Sequence, residues 1–191
     1  MTSREQENWW VLRAQSGDRQ ALDRLLRAVQ DPLYWYIRGL LGGDHHGAED
    51  VLQEVFVRIF RKIGWLREPA LFRPWMYRMD TREALRHLQR DKCWREQVRD
   101  EALLDALPSP PAAEIREQIA PGIRERLPEL VAGISPASRA VVLLFYLQEM
   151  SLSEVAATLG IPLGTAKSRL AYGLTKLRQQ LKDLPQSSPG A

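Results

Sequence analysis

Residues Ser151–Leu181 read SLSEVAATLGIPLGTAKSRLAYGLTKLRQQL. The stretch predicts a short helix, a tight turn and a longer basic helix. Ser151 and Glu154 have the spacing of a capping box, which starts a helix at Leu152. Leu152, Val155, Ala156 and Leu159 then fall on one helical face. Gly160 tolerates the left-handed backbone that a helix stop needs, and Pro162 suits the opening of the next helix. In that second helix Ala166, Leu170, Leu174, Leu177 and Leu181 form a stripe expected to be buried. Thr165, Ser168, Arg169, Tyr172 and Lys176 are expected to point the other way, with Lys167 beside them. Short hydroxyls and cations so grouped suit phosphate and base-edge contacts, so the layout reads as a helix-turn-helix that docks in a DNA groove. An amphipathic hairpin with a solvated basic face would share the helix pattern. The turn chemistry and the polar cluster at the helix start favour DNA.

Working outward, the 191 residues can hold one domain or two small ones, and a hydrophobic fraction of 45% supports real cores. The net charge of +3 is unevenly spread. Phe72–Arg95 carries seven Lys/Arg against three Asp/Glu, and Ser151–Leu184 carries five against two. Between them Glu96–Arg126 has four against seven. Two basic blocks flanking an acidic one suit two nucleic-acid contacts joined by a linker. Cys93 is the one cysteine, which excludes an intrachain disulfide and points to a reducing compartment. His45, His46 and His87 do not have metal-ligand spacing. With no signal peptide and no long apolar run, the chain is expected to be soluble and cytoplasmic.

The periodicity predicts an all-α fold of two small helical domains joined by a flexible acidic linker, the second domain ending in the helix-turn-helix. The first domain spans 1–95, the linker 96–122, the second domain 123–184 and a disordered tail 185–191. Ala21, Leu22, Leu25, Leu26 and Val29 form one stripe, expected to end near Asp31-Pro32. Leu33, Tyr34, Ile37, Leu40 and Leu41 form a second, ended by Gly42-Gly43. Asp44–Gly47 reads as a turn. A helix follows over Ala48–Ile63, with Leu52, Val55, Phe56, Ile59, Phe60 and Ile63 expected inward. Asp50, Glu54, Val57, Arg58 and Arg61 line its other face, with Gln53 at the edge. Gly64–Ala70 reads as a loop because Pro69 interrupts a helix. Pro74 opens the next helix, predicted to run to about Trp94. In the second domain, Ser135-Pro136 starts a helix predicted to end at Met150.

Arg78, Arg82, Arg86 and Arg90 recur every four residues, a nearly continuous cationic stripe on a helix. Each neighbouring like-charge pair costs ~0.2–0.5 kcal/mol in an isolated helix, a repulsion that a polyanion would remove. Solvation, helped by Glu83 and Asp91, is the competing explanation. The aromatic setting of Phe72, Trp75 and Tyr77 suits unpaired bases, with Trp75 expected to pack. In the preceding loop Trp65 and Arg67 could border a pocket for a flipped base.

Together these segments resemble a known family. AEDVLQEVFVRIFRKI, Ala48–Ile63, is similar to the polymerase-binding helix of bacterial sigma factors. FRPWMYRMDTREALRHLQR, Phe72–Arg90, is similar to their −10 recognition segment. LPELVAGISPASRAVVLLFYLQEMSLSEVAATLGIPLGTAKSRL, Leu127–Leu170, is similar to their −35 recognition domain. The size and two-domain layout resemble the extracytoplasmic-function (ECF) group. The resemblance implies that Asp50, Gln53, Glu54, Val57, Arg58 and Arg61 dock on the clamp helices of the largest subunit of core RNA polymerase. The linker would thread the catalytic subunit's channel. Trp65, Arg67, Arg73, Tyr77, Arg78, Arg82, Arg86 and Arg90 would meet the −10 element. Ser153, Thr165, Lys167, Ser168, Arg169, Tyr172 and Lys176 would meet the −35 duplex. It further implies an anti-sigma factor, often membrane-bound, and neither cofactor nor small-molecule substrate. The chain departs from the family at Arg82, where Asn is usual, and at Arg86, where Asp is frequent. It departs again at Tyr172 and Leu174, where arginines are common.

Two other functions compete. A stand-alone helix-turn-helix regulator would leave the Ala48–Ile63 face and the arginine stripe without a role. An enzyme would need a nucleophile with its base, a phosphate-cradling glycine loop or a metal cluster, and the sequence offers none of these.

Overall fold

The computed structural model describes residues 3–90 and 123–183, which form eight α-helices. Helices α1 (Ser3–Gln15), α2 (Arg19–Leu40), α3 (His45–Lys62) and α4 (Phe72–Arg90) build the first domain. Helices α5 (Ile123–Leu130), α6 (Pro136–Tyr146), α7 (Leu152–Leu159) and α8 (Leu163–Asp183) build the second. Short 3-10 turns cover Ile63–Trp65, Pro69–Leu71 and Val131–Gly133. The expected linker 96–122, the tail 185–191, Cys93 and the last turn expected for α4 lie outside the described residues.

Several element boundaries differ from the sequence expectation. The two stripes expected on either side of Pro32 belong to one helix, α2, with Pro32 inside it. An internal proline costs roughly 3 kcal/mol. Continuous burial outweighs it, because Leu25, Val29, Leu33, Tyr36, Ile37 and Leu40 share a face and are all buried. Helix α3 starts at His45, within the expected turn. Asp44 is its N-cap, accepting a hydrogen bond from the Gly47 amide at 3.1 Å. Helix α4 begins at Phe72, before the expected Pro74, and α6 ends at Tyr146, before the expected Met150. Glu149 then takes a left-handed φ of 55°. Helix α1 was not foreseen. It starts ahead of the first apolar stripe read in the sequence and buries Val11 and Glu7.

The domains share one continuous apolar cluster. Helices α2 and α6 cross where Gly39 faces Leu143. A Cβ at Gly39 would come within 2.8 Å of a Leu143 methyl carbon. Arg139 of α6 is buried, and its guanidinium donates to Leu40 O at 2.9 Å, to Ile134 O and to Ala132 O at 2.5 Å. It thereby satisfies a carbonyl at the open end of α2. Burial lowers the Arg139 pKa to about 10. A more exposed pair, Arg38–Glu129 at 3.2 Å, lies beside the same seam and contributes little by comparison.

Candidate nucleic-acid interface

Helix α4 divides its residues by face. Phe72, Met76, Tyr77, Asp80, Thr81, Glu83 and Ala84 are buried, and Arg78, Arg82, Arg86 and Arg90 are exposed. The buried side is fixed by a hydroxyl relay. Thr81 Oγ1 donates to Tyr77 O at 2.8 Å, so the 2.7 Å contact with Tyr36 is one in which the tyrosine hydroxyl donates. The Tyr36 and Tyr77 rings meet edge-on with centroids 5.1 Å apart, and burial raises both phenol pKa values. At the centre of this face Asp80 is fully buried, and neither carboxyl oxygen has a hydrogen-bond partner among the described residues. Burial pushes its pKa well above the usual carboxylate range.

The arginine stripe is not uniform. Arg78 packs into the turn of the helix-turn-helix, where a Cβ on Gly160 would lie 2.5 Å from its Nη2. Arg86 Nη1 lies 2.5 Å from Glu83 Oε1. Arg82 and Arg90 have no ion-pair partner among the described residues. Two residues expected on the DNA side are engaged by other parts of the fold. Arg73 makes a two-pronged pair with Glu7 of α1, Nε to Oε2 at 2.8 Å and Nη2 to Oε1 at 2.5 Å, which raises its pKa. Tyr77 is buried and its hydroxyl donates to Gln148 of the second domain. In this arrangement both brace the fold.

The loop before α4 is held by α1, since Gln15 Nε2 donates to Ile63 O at 2.9 Å and to Leu66 O at 2.6 Å. Trp65 is 82% exposed at its tip, and Arg67 is exposed beside it. A cavity of about 180 Å³ lies nearby, between α1, the Pro69–Leu71 turn, α4 and the second domain. Neither Trp65 nor Arg67 lines it, so it is not the pocket those two residues were expected to border.

On α3 the buried residues are Gly47, Ala48, Val51, Val55 and Ile59. Asp50, Gln53, Glu54 and Arg61 are exposed. Phe60 was expected inward but is 61% exposed, and Val57 is 43% exposed. Gln53, Val57 and Phe60 stand at i, i+4 and i+7, so the outward face has an apolar centre within a charged rim. That spacing was visible in the sequence. Phenylalanine's preference for burial concealed it. Arg58 points away from this face to Glu83 Oε1 at 2.8 Å.

The second domain forms the helix-turn-helix. Ser151 accepts from the Glu154 amide at 3.2 Å, and the Ser151 amide donates to Glu154 Oε2 at 2.8 Å, completing the capping box. Gly160 has φ 69°, and Ile161 N donates to Ala156 O at 3.0 Å. Ser153 and Lys167 are exposed, and Thr165, Ser168, Arg169 and Lys176 are half-buried. Ser168 Oγ donates to Thr165 O at 3.1 Å. Tyr172 was expected outward but is only 9% exposed, with Lys176 Nζ 5.6 Å from its ring centroid. The buried stripe of α8 is wider than the sequence suggested. It takes in Ala171, Tyr172 and Gly173, and at Gly173 a Cβ would meet Val142 at 2.5 Å. Among the described residues no three His, Cys, Asp or Glu could hold a metal ion, and no helix is long and apolar enough to cross a membrane.

Comparison with known proteins matches the two halves separately. Residues 25–93 match Sigma-70 region 2, and residues 130–179 match Sigma-70, region 4. The chain is 31% identical to the ECF RNA polymerase sigma factor SigL of Mycobacterium tuberculosis, over 88% of this chain and 96% of the relative. It is 35% identical to the ECF RNA polymerase sigma factor SigE of Mycolicibacterium smegmatis. That match takes in 88% of this chain and 64% of the relative, so the chain spans a little under two thirds of SigE. It is 27% identical to ECF RNA polymerase sigma factor SigW of Bacillus subtilis, over 91% and 96% of the two chains. Its fold is similar to that of CnrH, solved in complex with the cytosolic domain of CnrY. That likeness has a TM-score of 0.67 at 22% identity, covering 94% of this chain and 99% of the other.

Proposed function

Because the chain belongs to the ECF group of RNA polymerase sigma factors, we propose that it binds core RNA polymerase and directs promoter-specific initiation through two DNA-facing elements. The carrying observation is that one chain presents both an exposed arginine stripe on α4 and a capped helix-turn-helix. Arg82 and Arg90, with the exposed Trp65 and Arg67, form the surface for an opened −10 element. Arginines hold phosphates, and the indole offers a stacking platform for an unpaired base. Arg78 joins that surface once it leaves the Gly160 turn. Ser153, Thr165, Lys167, Ser168 and Arg169, with Lys176 further along α8, meet the −35 duplex in the major groove.

Polymerase docks on the outward face of α3. Val57 and Phe60 supply the apolar centre, and Asp50, Gln53, Glu54 and Arg61 the polar rim. An anti-sigma factor is the proposed inhibitory partner, and the cytoplasm the proposed site of action. The role is one of binding and positioning, and no bond-making step is assigned to the chain.

Reconstitution tests the reading. The protein mixed with core polymerase and a promoter library should yield core-dependent initiation at a defined promoter class. Duplex binding by the chain alone, with no affinity for core enzyme, would instead establish a stand-alone regulator.

A further inference from the structure

We propose that Glu83 is a positioning residue that ties α3 to α4 and withdraws Arg86 from the phosphate-binding set. The proposal rests on the sigma-factor reading above. Glu83 is only 4% exposed, yet its Oε1 lies 2.8 Å from Arg58 Nη1 and 2.5 Å from Arg86 Nη1. A carboxylate taken out of water needs charge-assisted partners, and removing one of them leaves a costly buried charge. Arg58 comes from α3 and Arg86 from the next turn of α4, so the triad is a strut between the helix that faces polymerase and the helix that faces the promoter.

Two consequences follow from the geometry. First, Arg86 commits one N–H and part of its charge to Glu83 and so holds a phosphate less strongly than Arg82, which one turn earlier has no competing carboxylate among the described residues. The four-arginine stripe therefore delivers fewer phosphate contacts than its charge count suggests. Second, Arg58 is paired across the α3–α4 contact and contributes to the orientation of the docking face. The residue at position 83 thus sets how many cations the promoter meets and at what angle they stand to polymerase.

The test is the salt dependence of promoter binding by reconstituted holoenzyme. A phosphate contact contributes roughly 0.7–0.9 to the slope of log affinity against log salt. Arg82→Gln should reduce the slope by about that amount, and Arg86→Gln should leave it at the wild-type value. Glu83→Gln should steepen it by a similar increment, and adding Arg86→Gln to Glu83→Gln should remove the gain. A purely structural role for Glu83 would lower thermal stability without steepening the slope, and would overturn the proposal. Equal slope losses for Arg82→Gln and Arg86→Gln would overturn it as well. That comparison uses two exposed side chains, so it decides the matter even if Glu83→Gln folds poorly. A wild-type chain with no core-dependent promoter binding would remove the sigma-factor reading and the proposal together. Intact binding with the wrong slopes would remove the proposal alone.

Discussion

At the scale of single residues, Asp80 is a fully buried carboxyl with no hydrogen-bond partner among the described residues. It lies four residues after Met76 and four before Ala84, both buried, and faces Tyr36 and Tyr77, whose hydroxyls stay neutral because burial raises them too. The folded state therefore favours the protonated carboxyl. Its raised pKa leaves stability intact below the unfolded value near 3.8, and stability is lost as pH rises through the folded value. Asp18 acts in the opposite sense. The Ala21 amide and Arg13 lower its pKa, so its contribution is present above the unfolded value and is lost as pH falls through the folded one. Asp80→Asn keeps the shape and removes the charge. Denaturant unfolding at pH 5 and pH 8 should show the variant gaining on the wild type as pH rises. An equal difference at both values would mean that Asp80 titrates normally. Nothing in the sequence marked Asp80 as special. Its charge was counted with its neighbours, and only the meeting of α2 and α4 shows that it is buried.

At the scale of elements, local chemistry was legible and orientation was not. Ser151, Glu154 and Gly160 act on backbone within a few residues of themselves, so their spacing alone located the cap, α7 and its stop. Phe60 and Tyr172 lie at the borders of amphipathic stripes, where the packing partner decides which way a side chain turns. Pro32 was read as a break because its local cost is certain, while the burial that repays it comes from distant helices. The turn at Gly160 joins the two kinds of information. Its φ of 69° is available to glycine and strained for alanine, and the space beside it is filled by Arg78 of α4. Gly160→Ala should cost about 1–2 kcal/mol from backbone conformation alone, with a small further penalty from swinging the Arg78 guanidinium aside. Arg78→Ala should relieve that further part and leave the backbone part. A double-mutant cycle of unfolding free energies reads the difference. Strict additivity would show that Arg78 does not press on the turn.

At the scale of the whole molecule, the two proposed DNA-facing surfaces are close together. Helix α4 packs against α7, and Arg78 reaches the helix-turn-helix itself. Elements centred near −10 and −35 lie about 25 base pairs apart, which at about 3.4 Å per base pair is roughly 85 Å of duplex. If both proposed surfaces grip at once, one rigid body with α4 against α7 is too short, and the domains part along the seam of Gly39, Leu143 and Arg139. Polymerase binding then has to supply what that seam contributes in the free chain. Gly39→Leu tests this directly, because it fills the α2–α6 crossing and leaves every proposed polymerase- and DNA-facing residue unchanged. The free wild-type protein should scatter with a radius of gyration near the ~16 Å expected for a compact chain of this length. The variant should be larger, less stable, and a better ligand for −10 single strands in the absence of core enzyme. Greater size without improved DNA binding would show that the seam holds the domains together but does not screen the stripe. An unchanged radius would show that the crossing absorbs the side chain, and that the domains separate elsewhere.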